Sequence, residues 1–267
     1  MSFEPPFCLQ ILSDLHLEQA RNGISPYEYD FSANAPNLAL LGDIGWTSDV
    51  RLFAWLDHQL GRFERVFFVP GNNEPCTTTL DDSTARLQEF AKTRSGDPSR
   101  GLGAFILLSR TRYDASPTLT ILGCTLWSAL DSGALDTLSR TLSDFKRIIS
   151  FDASAFSAAH TADITWLTDN ITQIRANEPG RRVVVLTHHS PTVQGTSNPK
   201  YALGPTASAF ATELTQELFW GAPVTFWAFG HTHWTCDFER NGVQVYSNQR
   251  GSGQGSAGFD PGKVVEI

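Results

Sequence analysis

The sequence is poor in positive charge. Its 267 residues carry 20 lysines and arginines against 28 aspartates and glutamates, which gives a formal net charge of -8, and the cations form no basic run. Proteins that follow a polyanion by electrostatics usually show such a run or patch. The charge balance therefore argues against nucleic acid as a partner. A small anion can still bind an acidic protein where metal cations supply positive charge locally.

Cysteine and long apolar runs are also scarce. The four cysteines, Cys8, Cys76, Cys124 and Cys236, include no Cys-x-x-Cys pair, which favours reduced thiols over a disulfide framework or a zinc knuckle. The first residues show no basic segment followed by an apolar one, as a signal peptide would. The longest apolar runs, such as 183–186, are far too short to cross a membrane. We therefore expect a cytoplasmic protein with no membrane partner.

Short apolar runs that end in polar residues recur along the chain. Their length and their β-branched or aromatic content predict buried strands at Cys8–Leu12, 38–41, 66–69, 118–122, 183–186 and 226–229. Apolar residues at helical spacing predict helices that contain 52–63, 164–174 and 210–218. Strands that alternate with helices indicate an α/β layered fold. Because the chain shows neither a repeat nor a clear boundary, we expect one domain over residues 1–267; the sequence leaves its oligomeric state open.

A polar cluster follows five of the predicted strands, at the position where ligands gather in α/β sheets. The clusters contain Asp14 and His16; Asp43; Asn72; His188 and His189; and His231 and His233. Any one of them could be an ordinary surface turn, but five in succession are hard to attribute to chance. Carboxylate, amide and imidazole ligands without a thiolate suit manganese, iron or zinc.

The order Asp-x-His, Gly-Asp, Gly-Asn-Asn-Glu, His-His and Gly-His-Thr-His resembles that of the calcineurin-like metallophosphoesterases, and it extends from Asp14 to His233. The resemblance implies a single domain of that family, built as a four-layer α-β-β-α sandwich with two mixed central β-sheets flanked by helices. It implies two divalent or Fe-, Zn- or Mn-type ions, one held by Asp14, His16 and His233, the other by Asn72, His188 and His231, with Asp43 bridging them. His189 remains an alternative to His188, which we favour because it comes first after the strand.

The resemblance also implies hydrolysis of a phosphate ester, with a water or hydroxide between the two metals as the nucleophile. The expected substrate is a small or medium organic phosphomonoester or phosphodiester. A nuclease of the same superfamily is an alternative that the acidic balance argues against.

Asn73 departs from the family pattern, which usually has histidine at this position. That histidine is commonly assigned to protonating the leaving group or contacting the phosphate, whereas an amide cannot deliver a proton near neutral pH. Another group, His189 or Glu74, could replace it, or the leaving group could need no protonation. The third alternative is a metal-binding phosphate receptor with impaired catalysis, whether Asn73 is natural or introduced.

Three further residues are candidates for substrate contact. Arg250 could clamp a phosphate or be a surface arginine in a turn. Lys200 and Tyr201, in the loop after the histidine pair, could touch substrate or be solvated. The glycine- and serine-rich segment 251–258 is either a surface loop or a lid whose backbone amides contact phosphate.

Overall fold

The computed structural model describes residues 6–94, 101–202, 204–252 and 255–267. Within these ranges the chain forms eleven strands and five α-helices. The strands are β1 (Cys8–Leu12), β2 (Asn37–Leu41), β3 (Arg65–Val69), β4 (Ala104–Leu107), β5 (Thr111–Ser116), β6 (Leu119–Cys124), β7 (Arg182–Thr187), β8 (Val224–Ala228), β9 (Cys236–Arg240), β10 (Val243–Ser247) and β11 (Val264–Glu266). The helices are α1 (Val50–Leu60), α2 (Leu80–Thr93), α3 (Leu135–Thr141), α4 (Asp144–Arg147) and α5 (Ala153–Asn177).

The strands form two mixed sheets. The first has the order β11-β1-β2-β3-β4, in which β1 to β4 run parallel and β11 pairs antiparallel at the edge. The second has the order β5-β6-β7-β8-β10-β9, with a parallel centre and antiparallel strands at both edges. The parallel centres direct the carboxyl ends of their strands to shared edges, where loops can bring side chains together.

Alternation along the buried strands produces the layers of the first half. In β2, Leu38 and Leu40 belong to the core that contains the apolar face of α1, whereas Ala39 and Leu41 face the other sheet. Successive side chains of a strand point to opposite faces, so a strand that is apolar throughout must be covered on both.

The second sheet repeats this arrangement. Val183 and Val185 of β7 pack against α5, while Val184 and Leu186 belong to the core between the sheets. The order of layers is helix, sheet, sheet, helix, which confirms the predicted fold. Among the helices of the described ranges, none has the length and hydropathy that a membrane crossing requires.

The predicted helix over 210–218 is wrong. Thr212 donates its backbone N–H to the carbonyl of Ser190 at 3.1 Å, and Leu214 donates to that of Pro191 at 3.0 Å. These backbone groups therefore pair with a distant segment instead of closing helical turns, and Leu218 is 86% exposed. Long-range backbone pairing here overrides the helical spacing of the apolar residues.

The four thiols are free, as expected from their spacing. Cys76 and Cys124 are buried, and burial raises the pKa of both, Cys76 to about 12. They behave as small apolar side chains in the core.

Candidate metal centre

The predicted ligand residues meet where the two sheets face each other. Asp14 follows β1, and His231 follows β8 of the other sheet, yet the backbone N–H of His231 donates to both carboxylate oxygens of Asp14, at 3.0 and 3.1 Å. Ser13 forms an isolated bridge with Gln249 just before this point. The carboxyl ends of the two sheets are thereby fixed against each other.

Five of these residues have a left-handed backbone, which side chains other than glycine rarely adopt. The φ angles are 53° at Asp14, 47° at His16, 54° at Asp43, 73° at His231 and 51° at His233. Such conformations cost roughly 1–3 kcal/mol each and persist only where the surroundings fix them. Their concentration at strand ends marks this edge as a functional site.

One half of the centre contains Asp14, His16 and His233. The Nε2 atoms of the two histidines are 3.2 Å apart, and His233 Nε2 is 3.4 Å from Asp14 Oδ1. Ligand atoms of all three residues lie within 4.8 Å of one another. Two imidazole nitrogens and a carboxylate oxygen that converge in this way suit a divalent cation.

The other half contains His188, Asn72 and His231. His188 Nε2 is 2.8 Å from Asn72 Oδ1, and the rings of His188 and His231 have centroids 4.8 Å apart. His188 Nδ1 contacts the carbonyl of Leu41 at 2.8 Å, while His231 Nε2 contacts that of Ala209 at 3.3 Å. Since a carbonyl only accepts, each ring donates there, and in a neutral ring the other nitrogen carries the lone pair, as in metal-ligating histidines.

His16 follows the same rule through a carboxylate. Its Nδ1 lies 3.3 Å from Glu18 Oε1, so Nδ1 donates and Nε2 is left facing the site. Burial lowers the pKa of His16, but Glu18 and the carboxylates of Asp43 and Asp14 outweigh it and raise the pKa to about 9. Position 18 was not singled out by sequence, because a glutamate two residues after a ligand forms no recognisable motif.

The electrostatics of the centre call for positive charge. Asp14 and Asp43 are 0% and 2% exposed, and within the described ranges their ion-pair partners are histidines, not lysine or arginine. Burial raises the pKa of Asp14, yet the hydrogen bond and charge of His233, with the charges of His188 and His16, lower it overall. Two buried carboxylates surrounded by imidazole nitrogens fit bound cations, which would supply positive charge.

His189 occupies a different environment from His188. Its Nδ1 is 2.8 Å from Ser128 Oγ, and its ring stacks on His231 with a centroid distance of 4.0 Å. Burial, followed by the charges of nearby histidines, lowers its pKa well below the ordinary value, so the ring is neutral. Its Nε2 is buried without a hydrogen-bond partner, and one ring nitrogen of His189 lies within 4.8 Å of possible ligand atoms of His188 and His231. Asp43 and Asn72, however, contact His188, which favours His188 as the ligand.

Asn73 donates hydrogen bonds to the Asp43 carboxylate, and the Glu74 carboxylate accepts one from the Asp43 backbone. The backbone N–H of Asn73 donates to Asp43 Oδ1 at 2.9 Å, and its Nδ2 donates to Oδ2 at 2.5 Å. The Glu74 carboxylate is 0% exposed and accepts backbone N–H groups from Asp43, Ile44 and Gly71 at 2.7–3.0 Å. Burial, then the charge of Asp43, raises the pKa of Glu74 to about 7. Glu74 therefore organises the loops behind the site and does not face the cleft.

Glycine is required beside two of the predicted ligands because a side chain would collide with them. A Cβ at Gly42, where φ is 82°, would lie 2.3 Å from His188 Nδ1. A Cβ at Gly71 would lie 2.3 Å from Asp43 Oδ1. The Gly-Asp and Gly-Asn motifs thus reflect close approach of backbone to the ligand side chains.

The centre opens into a cleft of about 420 Å³. Predicted site residues on its walls are His16, Asp43, Asn72, Asn73, Tyr201, His231 and His233. Lys200 is exposed, with its ammonium 5.6 Å from the Tyr201 ring centroid, and does not line the cleft.

Arg250 does not line the cleft either. It is 8% exposed, its guanidinium lies 3.9 Å over the Tyr29 ring, and Nη1 donates to the carbonyl of Leu15 at 3.2 Å. The suggested phosphate clamp is therefore not what the structure shows. Arg250 instead stabilises the loop that follows β1, through its hydrogen bond to Leu15.

Asp144 was missed by sequence and lies on the wall of the cleft. Burial, opposed by its backbone amide and reinforced by the charge of Asp43, raises its pKa to about 6. Nothing in the sequence marks it, because it begins the short helix α4, far from every motif.

The glycine-rich segment comes close to the centre at Ser252. The backbone N–H and the hydroxyl of Ser252 each lie 3.3 Å from His233 Nδ1. Arg21 holds the segment by donating to the carbonyl of Gly251 at 2.6 Å. Residues 253 and 254 lie outside the described residues, so the segment is placed beside the site only through its described part.

The comparisons with known proteins agree with this geometry. Residues 11–235 match the model of the calcineurin-like phosphoesterase family, and the chain belongs to that family. It is accordingly a metal-dependent phosphoester hydrolase.

Relatives extend over nearly the whole chain. "Uncharacterized protein L509" of Acanthamoeba polyphaga mimivirus is 27% identical over 281 residues, which cover 97% of this chain and 96% of the viral one. The solved phosphopantetheinyl hydrolase PptH of Mycobacterium tuberculosis has a TM-score of 0.66 at 18% identity and covers 91% of this chain and 89% of its own. A putative 5'-nucleotidase of Staphylococcus aureus, solved with alpha-ketoglutarate, has a TM-score of 0.50 at 12% identity over 93% of this chain and 49% of its own. The two solved structures establish a shared fold only.

Proposed function

We propose that this chain hydrolyses a phosphate ester of a small or medium organic molecule at a centre of two divalent cations. One cation would be held by Asp14, His16 and His233, and the other by Asn72, His188 and His231. The observation that supports this most is the orientation of Asp43 between the two halves. Its Oδ2 lies 3.8 Å from His16 Nε2, and its Oδ1 lies 3.3 Å from His188 Nε2. One carboxylate that turns an oxygen toward each half suits a bridging ligand.

The described walls of the cleft bring no fixed positive charge to the substrate. Among the described residues that line the cleft there is no lysine or arginine. Bound cations would supply the charge neutralisation at phosphorus and the activation of water that phosphoester hydrolysis needs. The protein contributes the orientation of its ligands and a bounded cleft, which hold the phosphoryl group in place.

The usual proton donor is replaced by a group that orients Asp43. Both nitrogens of Asn73 donate to the Asp43 carboxylate, and an amide cannot release a proton near neutral pH. General acid catalysis is typically worth about 10²–10⁴-fold. We therefore infer that esters with good leaving groups are hydrolysed most readily.

Turnover of p-nitrophenyl phosphate by the manganese-loaded protein tests the proposal. Asp43→Asn should reduce kcat/KM by at least about 100-fold, the size of effect seen when one stabilising group of an active site is removed. Asp169→Asn, an exposed change on α5, is the matched control and should keep wild-type activity. Retention of activity and of two bound metals in Asp43→Asn would refute the bridging role.

The impaired receptor is the second candidate, and Asn73 is the observation that favours it. Asn73→His should raise the rate more for an alkyl phosphate than for p-nitrophenyl phosphate, because the alkoxide leaving group depends more on protonation. Wild-type protein that binds phosphate but shows no turnover above buffer, while Asn73→His does, would favour the receptor over the enzyme.

A further inference from the structure

The cleft continues into a second, smaller cavity of about 220 Å³, which we call the annex. Four residues, Tyr201, Thr206, Phe210 and Thr232, line both the cleft and the annex. The two cavities therefore share walls and together have a size typical of small-molecule sites.

The annex begins directly beside the proposed metal ligands. Thr232 lies between His231 and His233 in the chain. The Phe210 ring stacks on His231 with a centroid distance of 4.7 Å and an interplanar angle of 20°. A molecule whose phosphoryl group lies at the ligands would need to extend only past Thr232 and Phe210 to enter the annex.

The described residues of the annex walls are largely apolar and carry no formal charge. The apolar part consists of Val193, Tyr201, Ala202, Ala207, Phe210 and Ala211. The other described lining residues are Ser197, Asn198, Thr206 and Thr232, which are neutral hydrogen-bonding groups. A second phosphate or a carboxylate placed here would lose water without gaining a cation from these wall residues, which is costly.

We propose that the annex binds the leaving group of the phosphoester, and that this group is uncharged and has a substantial apolar portion. The inference rests on the proposed function, since it assumes that the phosphoryl end lies at the metal ligands. It separates such esters from nucleoside polyphosphates and sugar bisphosphates, whose leaving groups carry further anionic charge. Apolar contact with the annex walls would be the main source of selectivity for the leaving group.

Binding of non-hydrolysable phosphonates tests the annex without turnover. Ethylphosphonate and n-hexylphosphonate carry the same anionic group and differ by four methylenes. Isothermal titration of the manganese-loaded protein should give a Kd for n-hexylphosphonate at least about tenfold lower, since one methylene in an apolar pocket is worth roughly 10-fold or more.

A charge placed in the annex should abolish that preference. Val193 is 42% exposed, so Val193→Asp should fold, and it should lower the ratio of the two Kd values at least about fivefold, by unfavourable desolvation of the carboxylate against the alkyl chain. Val50→Asp is the matched control, because Val50 is 79% exposed at the start of α1, outside both cavities, and should keep the wild-type ratio.

Three results would each overturn the proposal that the annex binds the leaving group. They are equal Kd values for the two phosphonates, no binding of either, and an unchanged ratio in Val193→Asp. A protein that prefers n-hexylphosphonate tenfold but hydrolyses no p-nitrophenyl phosphate would contradict the proposed function and leave the annex intact.

Discussion

Replacing Gly71 by alanine should disrupt the centre without replacing any of its predicted ligand residues. A Cβ at this position would lie 2.3 Å from Asp43 Oδ1, 2.5 Å from the Asp43 nitrogen and 2.8 Å from Glu74 Oε2. Non-bonded atoms have their energy minimum at a separation of about 3.5 Å, so the new Cβ or the Asp43 atoms must move by roughly 1 Å. Backbone and a buried carboxylate surround the site, and neither can rotate away cheaply.

The magnitude follows from what the displacement breaks. Gly71 donates its N–H to Glu74 Oε2 at 2.8 Å, and the same oxygen accepts the N–H of Asp43 at 3.0 Å. Weakening a hydrogen bond to a buried charged group costs about 1.5–3 kcal/mol, and overpacking costs about 1–3 kcal/mol. We expect Gly71→Ala to lose about 2–5 kcal/mol of the free energy of unfolding. A shift of about 1 Å in Asp43 should also reduce kcat roughly 100-fold.

Urea unfolding of the metal-free protein measures the loss of stability, turnover of p-nitrophenyl phosphate measures the loss of kcat, and manganese titration calorimetry measures metal affinity. Gly61→Ala is the control, since Gly61 has φ of -73° and its nearest new contact would be 3.4 Å away. That change should alter the free energy of unfolding by less than about 1 kcal/mol. If Gly71→Ala matched Gly61→Ala in both stability and metal affinity, the close approach of Gly71 to Asp43 would not matter.

Two further predictions address groups around the core of the site. Glu18→Gln removes the charged acceptor of His16 Nδ1 and should weaken manganese binding about 10–100-fold, while an unchanged Kd would contradict the orienting role. Burial raises the pKa of Asp163 to about 6, although Arg110 Nη1 lies 2.7 Å from its carboxylate and opposes the shift. The protonated Asp163 side chain therefore contributes fully to folding stability below pH 3.8, and this contribution is lost as the pH rises through about 6. Asp163→Asn should therefore gain stability relative to wild type over this window, by roughly 3 kcal/mol in urea unfolding. A difference independent of pH would contradict this, and the exposed Asp169→Asn should show no trend.

The layers of the fold could be predicted because local patterns carry them. The runs at 38–41 and 183–186 are apolar at every position, which requires cover on both faces, and both strands lie between a helix layer and the other sheet. The segment 210–218 has the spacing of a helix but pairs with residues 190 and 191. Such long-range backbone pairing has no local signature in the sequence.

The candidate site likewise contains residues that local patterns predict and residues that only the tertiary fold brings there. Predicted ligands such as Asp14 and His231 come two or three residues after strands, so their convergence follows from the parallel order of the sheets. Glu18 and Asp144 entered the site from loops and a short helix that no motif marks. Arg250 shows the opposite error, because a glycine-rich turn suggested exposure while the fold buries the side chain against Tyr29.

Crystals of the manganese-loaded protein, with anomalous diffraction recorded near the manganese edge, test the central claim most directly. We predict two peaks, one on either side of the Asp43 carboxylate, with the first near His16 and His233 and the second near Asn72 and His188. A single peak, or peaks that leave Asp43 outside the coordination of either ion, would contradict the two-metal account.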